Sequence, residues 1–71
     1  MRYAVVIERA ANNYSAYVPD LPGCVSTGAS ADEALANIRE AVKFHLEGLR
    51  EDGQPIPAPA AVTTYVEAEA A

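Results

Sequence analysis

Few side chains in this sequence could do chemistry. His45 is the only histidine and Cys24 the only cysteine, so neither a Cys/His zinc cluster nor an internal disulfide can be built. His45 has no Asp, Ser or Cys close by in sequence to complete a triad, and it sits at helical spacing from Ile38, Val42 and Leu49. It reads as a packed or interface histidine. Cys24 follows a Pro-Gly turn and has no basic neighbour to lower its pKa, which makes it a small structural hydrophobe. A two-metal nuclease would have to gather its carboxylates, from Glu8, Asp20 and Asp32, over ions about 4 Å apart. Each has a structural use instead: Glu8 on the polar face of a strand, Asp20 before a Pro-rich turn, Asp32 in a first helical turn where the dipole favours a negative charge. No D-x-D or H-E-x-x-H spacing points to a metal. The sequence therefore reads as a binding protein, not an enzyme, with no catalytic residue, metal ligand or cofactor.

Composition bounds the rest. With 71 residues, 51% of them hydrophobic, residues 1–71 make one domain around one core. Such a domain buries only about 60% of its unfolded surface, and subunit contacts are the stabilising device left open to it. No apolar run approaches the roughly 18 to 20 residues that cross a bilayer, and the first residues lack the order of a signal peptide. A cytoplasmic protein without membrane contact is expected. The formal net charge of −5 opposes independent binding to nucleic acid, which needs clustered Lys and Arg, and suits a basic protein partner.

The elements that position these residues follow from periodicity. Arg2 to Arg9 alternates, with Tyr3, Val5 and Ile7 on one face and Arg2 and Glu8 on the other, and predicts a strand. Asn12 and Asn13 tolerate positive φ and predict a hairpin turn into a second strand, where Tyr14, Ala16 and Val18 alternate with Ser15 and Tyr17. Pro22 and Gly23 predict a type II turn, and Cys24 to Thr27 a short third strand ended by Gly28. Ser30 and Glu33 match the S-x-x-E capping box. The helix it opens puts Ala31, Ala34, Leu35, Ile38, Ala41, Val42, His45 and Leu49 on one stripe and Glu33, Glu40, Lys43 and Glu47 opposite. Gly53 is placed to stop it, and Pro55, Pro57 and Pro59 favour extended chain. Val62, Thr64 and Val66 alternate with Thr63 and Tyr65, predicting a fourth strand that returns beside the first; Glu67 to Ala71 has little to anchor it. The fold class is α+β, a βββαβ antiparallel sheet with one helix packed on one face.

Partner contacts are expected at the residues this arrangement leaves uncovered. Phe44 lies off the apolar stripe on the helix flank. Tyr17 and Tyr65 point to the open sheet face, where aromatic side chains suit subunit or partner contact. Glu8, Asp20 and Glu40, with Glu33 and Glu47, are steering charges.

Several of these features occur together in one family. Tyr3-Ala4-Val5-Val6-Ile7-Glu8, Tyr14-x-Ala16, Pro19-Asp20-Leu21-Pro22-Gly23-Cys24, Gly28, Glu33-Ala34, Asn37-Ile38, Glu40-Ala41 and Gly53 with Pro55-Ile56-Pro57 resemble the N-terminal domain of HicB-type antitoxins over nearly the whole chain. The resemblance implies a truncated RNase H-like fold, assembled as dimers or larger oligomers such as tetramers, that holds a HicA-type toxin, a small basic mRNA-cleaving protein, away from RNA. Many members also carry a C-terminal DNA-binding domain; with the sequence ending at Ala71, autonomous promoter binding is not expected. The alternative is an oligomeric interaction module without a toxin.

Overall fold

β-branched and aromatic residues in alternation build three short strands, β1 (Val6–Arg9), β2 (Tyr14–Tyr17) and β3 (Val25–Gly28), followed by one helix, α1 (Ala31–Glu51). The computed structural model describes residues 1–70. The strands form one antiparallel sheet in the order β1-β2-β3, with Ile7 opposite Ala16 and Ala16 opposite Ser26. That register puts the row Ile7–Ala16–Ser26 under the helix and the row Val6–Tyr17–Val25 on the other face, because side chains alternate along each strand.

The connections are set by local chemistry. Between β1 and β2, Ala10 donates its N–H to the Asn13 carbonyl at 2.8 Å. No residue other than glycine among those described has positive φ, so the Asn12-Asn13 left-handed turn expected from sequence does not form. With residues 10–13 forming the loop between the Arg9–Tyr14 pair, the chain has enough length to reverse without αL residues. The Pro-Asp-Leu-Pro-Gly segment is two successive turns. Leu21 N–H bonds to the Val18 carbonyl and Cys24 N–H to the Leu21 carbonyl, both at 3.0 Å. Gly23, at φ +83°, supplies the positive φ of a type II turn. These turns drive Val18, Leu21 and Cys24 inward, where with Ala16, Ala34 and Ile38 they form the buried core.

The helix begins as its capping residues direct. The Ser30 hydroxyl accepts from Glu33 N–H at 3.1 Å, while the Glu33 carboxylate reaches one residue beyond the usual partner and accepts from Ala29 N–H at 3.3 Å. It ends in a Schellman motif: Gln54 N–H to the Leu49 carbonyl, Gly53 N–H to the Arg50 carbonyl, and Gly53 at φ +68°. The apolar stripe is as expected at Ala34, Leu35, Ile38, Ala41 and Val42, and Leu46 joins it against the core. The helix packs most closely over β3 and least over β1. Gly28 permits this, since a Cβ there would fall on the Ala34 amide nitrogen and lie 2.9 Å from Ala34 Cα.

The fourth strand expected at Val62 to Val66 is absent, so the order is βββα; the antiparallel sheet covered on one face by a helix stands. After the helix, residues 54–70 run as an irregular arm. The Tyr3 hydroxyl donates to the Pro57 carbonyl, and the Asp20 carboxylate accepts from Ala60 N–H and Ala61 N–H, each at 3.0 Å. Beyond that clamp Val62, Tyr65 and Val66 are 87%, 97% and 86% exposed. A β-patterned segment with no edge to bond is not a strand. Residues 67–70 are exposed too, and Ala71 lies outside the described residues.

Two predictions follow from this packing. Gly28→Ala should destabilise the protein by about 1–3 kcal/mol, the usual cost of forcing an extra methyl into a close contact, measured as a lowered denaturant midpoint; wild-type stability would show that the helix is free to move off β3. The bonds from Ala61 and then Ala60 hold the Asp20 carboxyl below its ordinary pKa. A group depressed in the folded state contributes stability above its unfolded pKa and loses it as pH falls through the folded one. Hydrogen exchange at Ala60 and Ala61 should therefore stay slow from neutral pH into mild acid, after correction for intrinsic rates, and speed up once Asp20 protonates. Asp20→Ala should abolish the protection at every pH.

Candidate functional site

Apart from Asp32, which falls on the basic flank, the exposed charges of α1 are sorted by sign. At about 100° per residue, Glu33, Glu40, Glu47 and Glu51 fall on one ridge roughly opposite the buried Ile38, while Arg39, Lys43 and Arg50 occupy the neighbouring flank. All seven are exposed. Phe44 stands at the edge of the acidic ridge, one turn on from Glu40 and three residues before Glu47, and is 67% exposed; the proline segment does not cover it. An exposed phenylalanine bordered on one side by carboxylates is an apolar anchor beside a negative field, the arrangement that a basic protein surface with one apolar recess would complement. Glu47 and Glu51, four residues apart on this ridge, repel one another in the free chain by a few tenths of a kcal/mol.

The second uncovered surface is the sheet face away from the helix. Val6, Tyr17 and Val25 form one cross-strand row there, with Tyr17 38% and Val25 65% exposed. Glu8, Ser15 and Thr27 form the next row. Tyr17 thus lies where the alternation placed it, and Glu8 flanks it on the polar row.

The structure does not bring the six candidate contact residues into one patch. Glu8 and Tyr17 share the open sheet face, and Glu40 and Phe44 share the helix ridge. Tyr65 stands on the arm beyond the sheet, not on the sheet face expected for it. Asp20 is committed to the arm backbone, a use that the sequence signal, an Asp before Leu-Pro-Gly, did not disclose because its partners lie 40 residues away. What sequence reading misses is the sorting of charge: it groups Lys43 with the glutamates, although the i, i+4 step from Arg39 and the i, i+7 step on to Arg50 place it on a separate flank.

The remaining chemistry-bearing residues are dispersed. Cys24 is buried and unpaired, and burial pushes its thiol pKa up, so it is a poor nucleophile. His45 is half-buried on the helix. Glu8, Asp20 and Asp32 lie on the sheet face, the turn and the helix N-terminus. Among the described residues no three His, Cys, Asp or Glu side chains converge on a metal-sized position, and no helix is long and apolar enough to cross a membrane.

Comparison with known proteins bears on this surface. A family model described as the HicB-like antitoxin of bacterial toxin–antitoxin systems matches residues 3–70. An uncharacterised 14.9 kDa protein of Haemophilus phage HP1 is 39% identical over 66 residues, covering 93% of this chain and 50% of its own. A UPF0150 protein of Helicobacter pylori is 53% identical over 47 residues, covering 66% of this chain and 65% of its own. The chain therefore spans half to two-thirds of the length of these relatives. Among solved structures, a chain of the HicA3 and HicB3 toxin–antitoxin complex superposes with a TM-score of 0.72 at 30% identity, over 84% of this chain and 70% of that one. Strands, turn motif and helix all fall within the matched residues, and the chain belongs to the HicB-like antitoxin family of bacterial toxin–antitoxin systems.

Proposed function

We propose that this chain is an antitoxin that binds a HicA-type toxin, a small basic RNA-cleaving protein, and covers the surface the toxin needs for RNA. The single observation that carries the reading is the fold-level and sequence likeness to a chain of the HicA3 and HicB3 complex. The helix ridge supports it independently: Glu33, Glu40, Glu47 and Glu51 supply the charge that draws in a basic protein, and Phe44 supplies an apolar anchor. Inhibition is steric and electrostatic; the chain is not an enzyme and needs no cofactor. Its negative charge works against autonomous binding to nucleic acid. The complex acts in the cytoplasm, where the toxin meets mRNA.

Charge and anchor contribute differently, and this makes the reading testable. Rim charges chiefly set the association rate and its salt dependence, whereas a buried aromatic anchor chiefly sets how long the complex lasts. Co-expression with a HicA-type toxin from the same genome should restore growth and yield a co-purifying complex. Glu40→Lys with Glu47→Lys should slow association several-fold at low salt and flatten its salt dependence. Phe44→Asp should weaken affinity by tenfold or more, mainly through faster dissociation, with the helical circular dichroism unchanged. A toxin that neither co-purifies nor is neutralised would refute the antitoxin reading. Binding untouched by all three changes would move the interface off the helix ridge.

A further inference from the structure

We propose that Gly48 is a docking notch for a long cationic side chain, an arginine or lysine of the toxin, which lies against bare helix backbone between Phe44 and the acidic end of α1. The inference rests on the toxin reading and adds to it the contact that fixes how closely the toxin approaches the helix.

The chain has four glycines, and the fold accounts for three. Gly23 and Gly53 adopt positive φ, and Gly28 lets the helix meet β3. Gly48 has neither reason. It lies inside α1, its φ is not positive, and its carbonyl accepts the Asp52 N–H at 3.0 Å as an ordinary helical bond. Apart from its own helix backbone and chain neighbours, nothing lies within 4 Å of a Cβ built on it, so neither the sheet nor the arm needs the space. Glycine is, after proline, the least favourable residue in a helix interior, because it gives up the most backbone freedom on folding. Nothing within the chain offsets this at Gly48. The requirement lies outside the chain, in a partner atom at the position a Cβ would take.

The surroundings of that position indicate which kind of atom. On the helix surface Gly48 neighbours Phe44, four residues before it, and Glu51 and Asp52, three and four residues after it; all three are exposed. Cα–Cβ bonds tilt toward the helix N-terminus, so the two acidic side chains lean back over Gly48 while that of Phe44 leans away and leaves the backbone bare. The notch is apolar on one side and negative on the other. It opens at the C-terminal end of the helix, where the aligned peptide dipoles add negative charge. Arg50, the basic residue of the last turn, points about 160° away round the axis and does not fill it.

An arginine or lysine meets both demands. Its aliphatic stem packs on the Gly48 backbone and the Phe44 ring, and its charged head reaches the carboxylates, with the face of the ring attracting the cation as well. An aliphatic or acidic side chain there would leave Glu51 and Asp52 unpaired at the interface or repelled by it.

The test is titration of the wild-type chain and of Gly48→Ala with a purified HicA-type toxin from the same genome. Gly48→Ala should raise the free chain's denaturation midpoint by about 0.5 M urea, since alanine is the better helix former. It should at the same time weaken toxin binding about tenfold or more by occupying the space the toxin needs. A more stable chain that binds less well is a result that a purely structural role for Gly48 would not give. When the toxin's lysines and arginines are changed to alanine one at a time, one of these changes should lose most of its effect once Gly48 is alanine. Wild-type affinity in Gly48→Ala, or strict additivity with every one of the toxin changes, would overturn the proposal and leave the antitoxin reading standing. A lowered midpoint would overturn it too, by returning Gly48 to the chain's own packing. A toxin that does not bind the wild-type chain would remove both readings.

Discussion

The approach of the helix to the third strand at Gly28 governs what the rest of the molecule can do. With no side chain there, the first turn of the helix sits against β3, and the helix axis is drawn toward that side of the sheet. Three consequences follow from one contact. Ala34 and Ile38 are pressed into the core, so the ridge opposite them, with Glu40, Phe44 and Glu47, is turned to solvent. Asn37 is brought over the β3 edge. The β1 side is left open, with Leu35 and Val42 only partly covered. A bulkier residue at position 28 would push the helix away and alter all three.

The turn motif Pro19-Asp20-Leu21-Pro22-Gly23-Cys24 plays a comparable part at the other end of the sheet. Its two reversals bury Val18, Leu21 and Cys24, which gives a small sheet a core that four-residue strands could not fill by themselves. The same motif directs the Asp20 carboxylate outward to hold the arm at Ala60 and Ala61. One short segment thus supplies both apolar packing and the polar clamp that aims the chain after the helix.

Much of this was legible in the residues. Alternation identified the first two strands and which of their faces is buried, although the first begins only at Val6 rather than Arg2; the Pro22-Gly23 turn and Gly28 bracketed the third to within a residue, Ser30 and Glu33 marked the helix start, and Gly23 and Gly53 marked the two positive-φ positions, because each signal is local and acts through neighbours in sequence. The misreadings came where the deciding partner is distant. Asn12-Asn13 has the composition of a left-handed turn, but a four-residue loop relieves the need for one. Val62 to Val66 has the composition of a strand, but a strand requires an edge to pair with, and composition does not supply one. Asp20 looked like a free steering charge because its two donors lie in the arm. The helix and strand periods alone placed Phe44 off the apolar stripe and Tyr17 on the open sheet face, whereas the exposure of Phe44 and the separation of the two onto different surfaces required the fold.

On the proposed reading it is the ridge of α1, with Glu40, Phe44 and Glu47, that meets the toxin. The most direct test is the amide spectrum of isotope-labelled chain as a HicA-type toxin is added. The account predicts that Glu40, Phe44 and Glu47 shift or broaden most, with the β1 and β2 amides little changed. Perturbation centred on Val6, Tyr17 and Val25, with the helix ridge silent, would contradict it and transfer the toxin to the open sheet face.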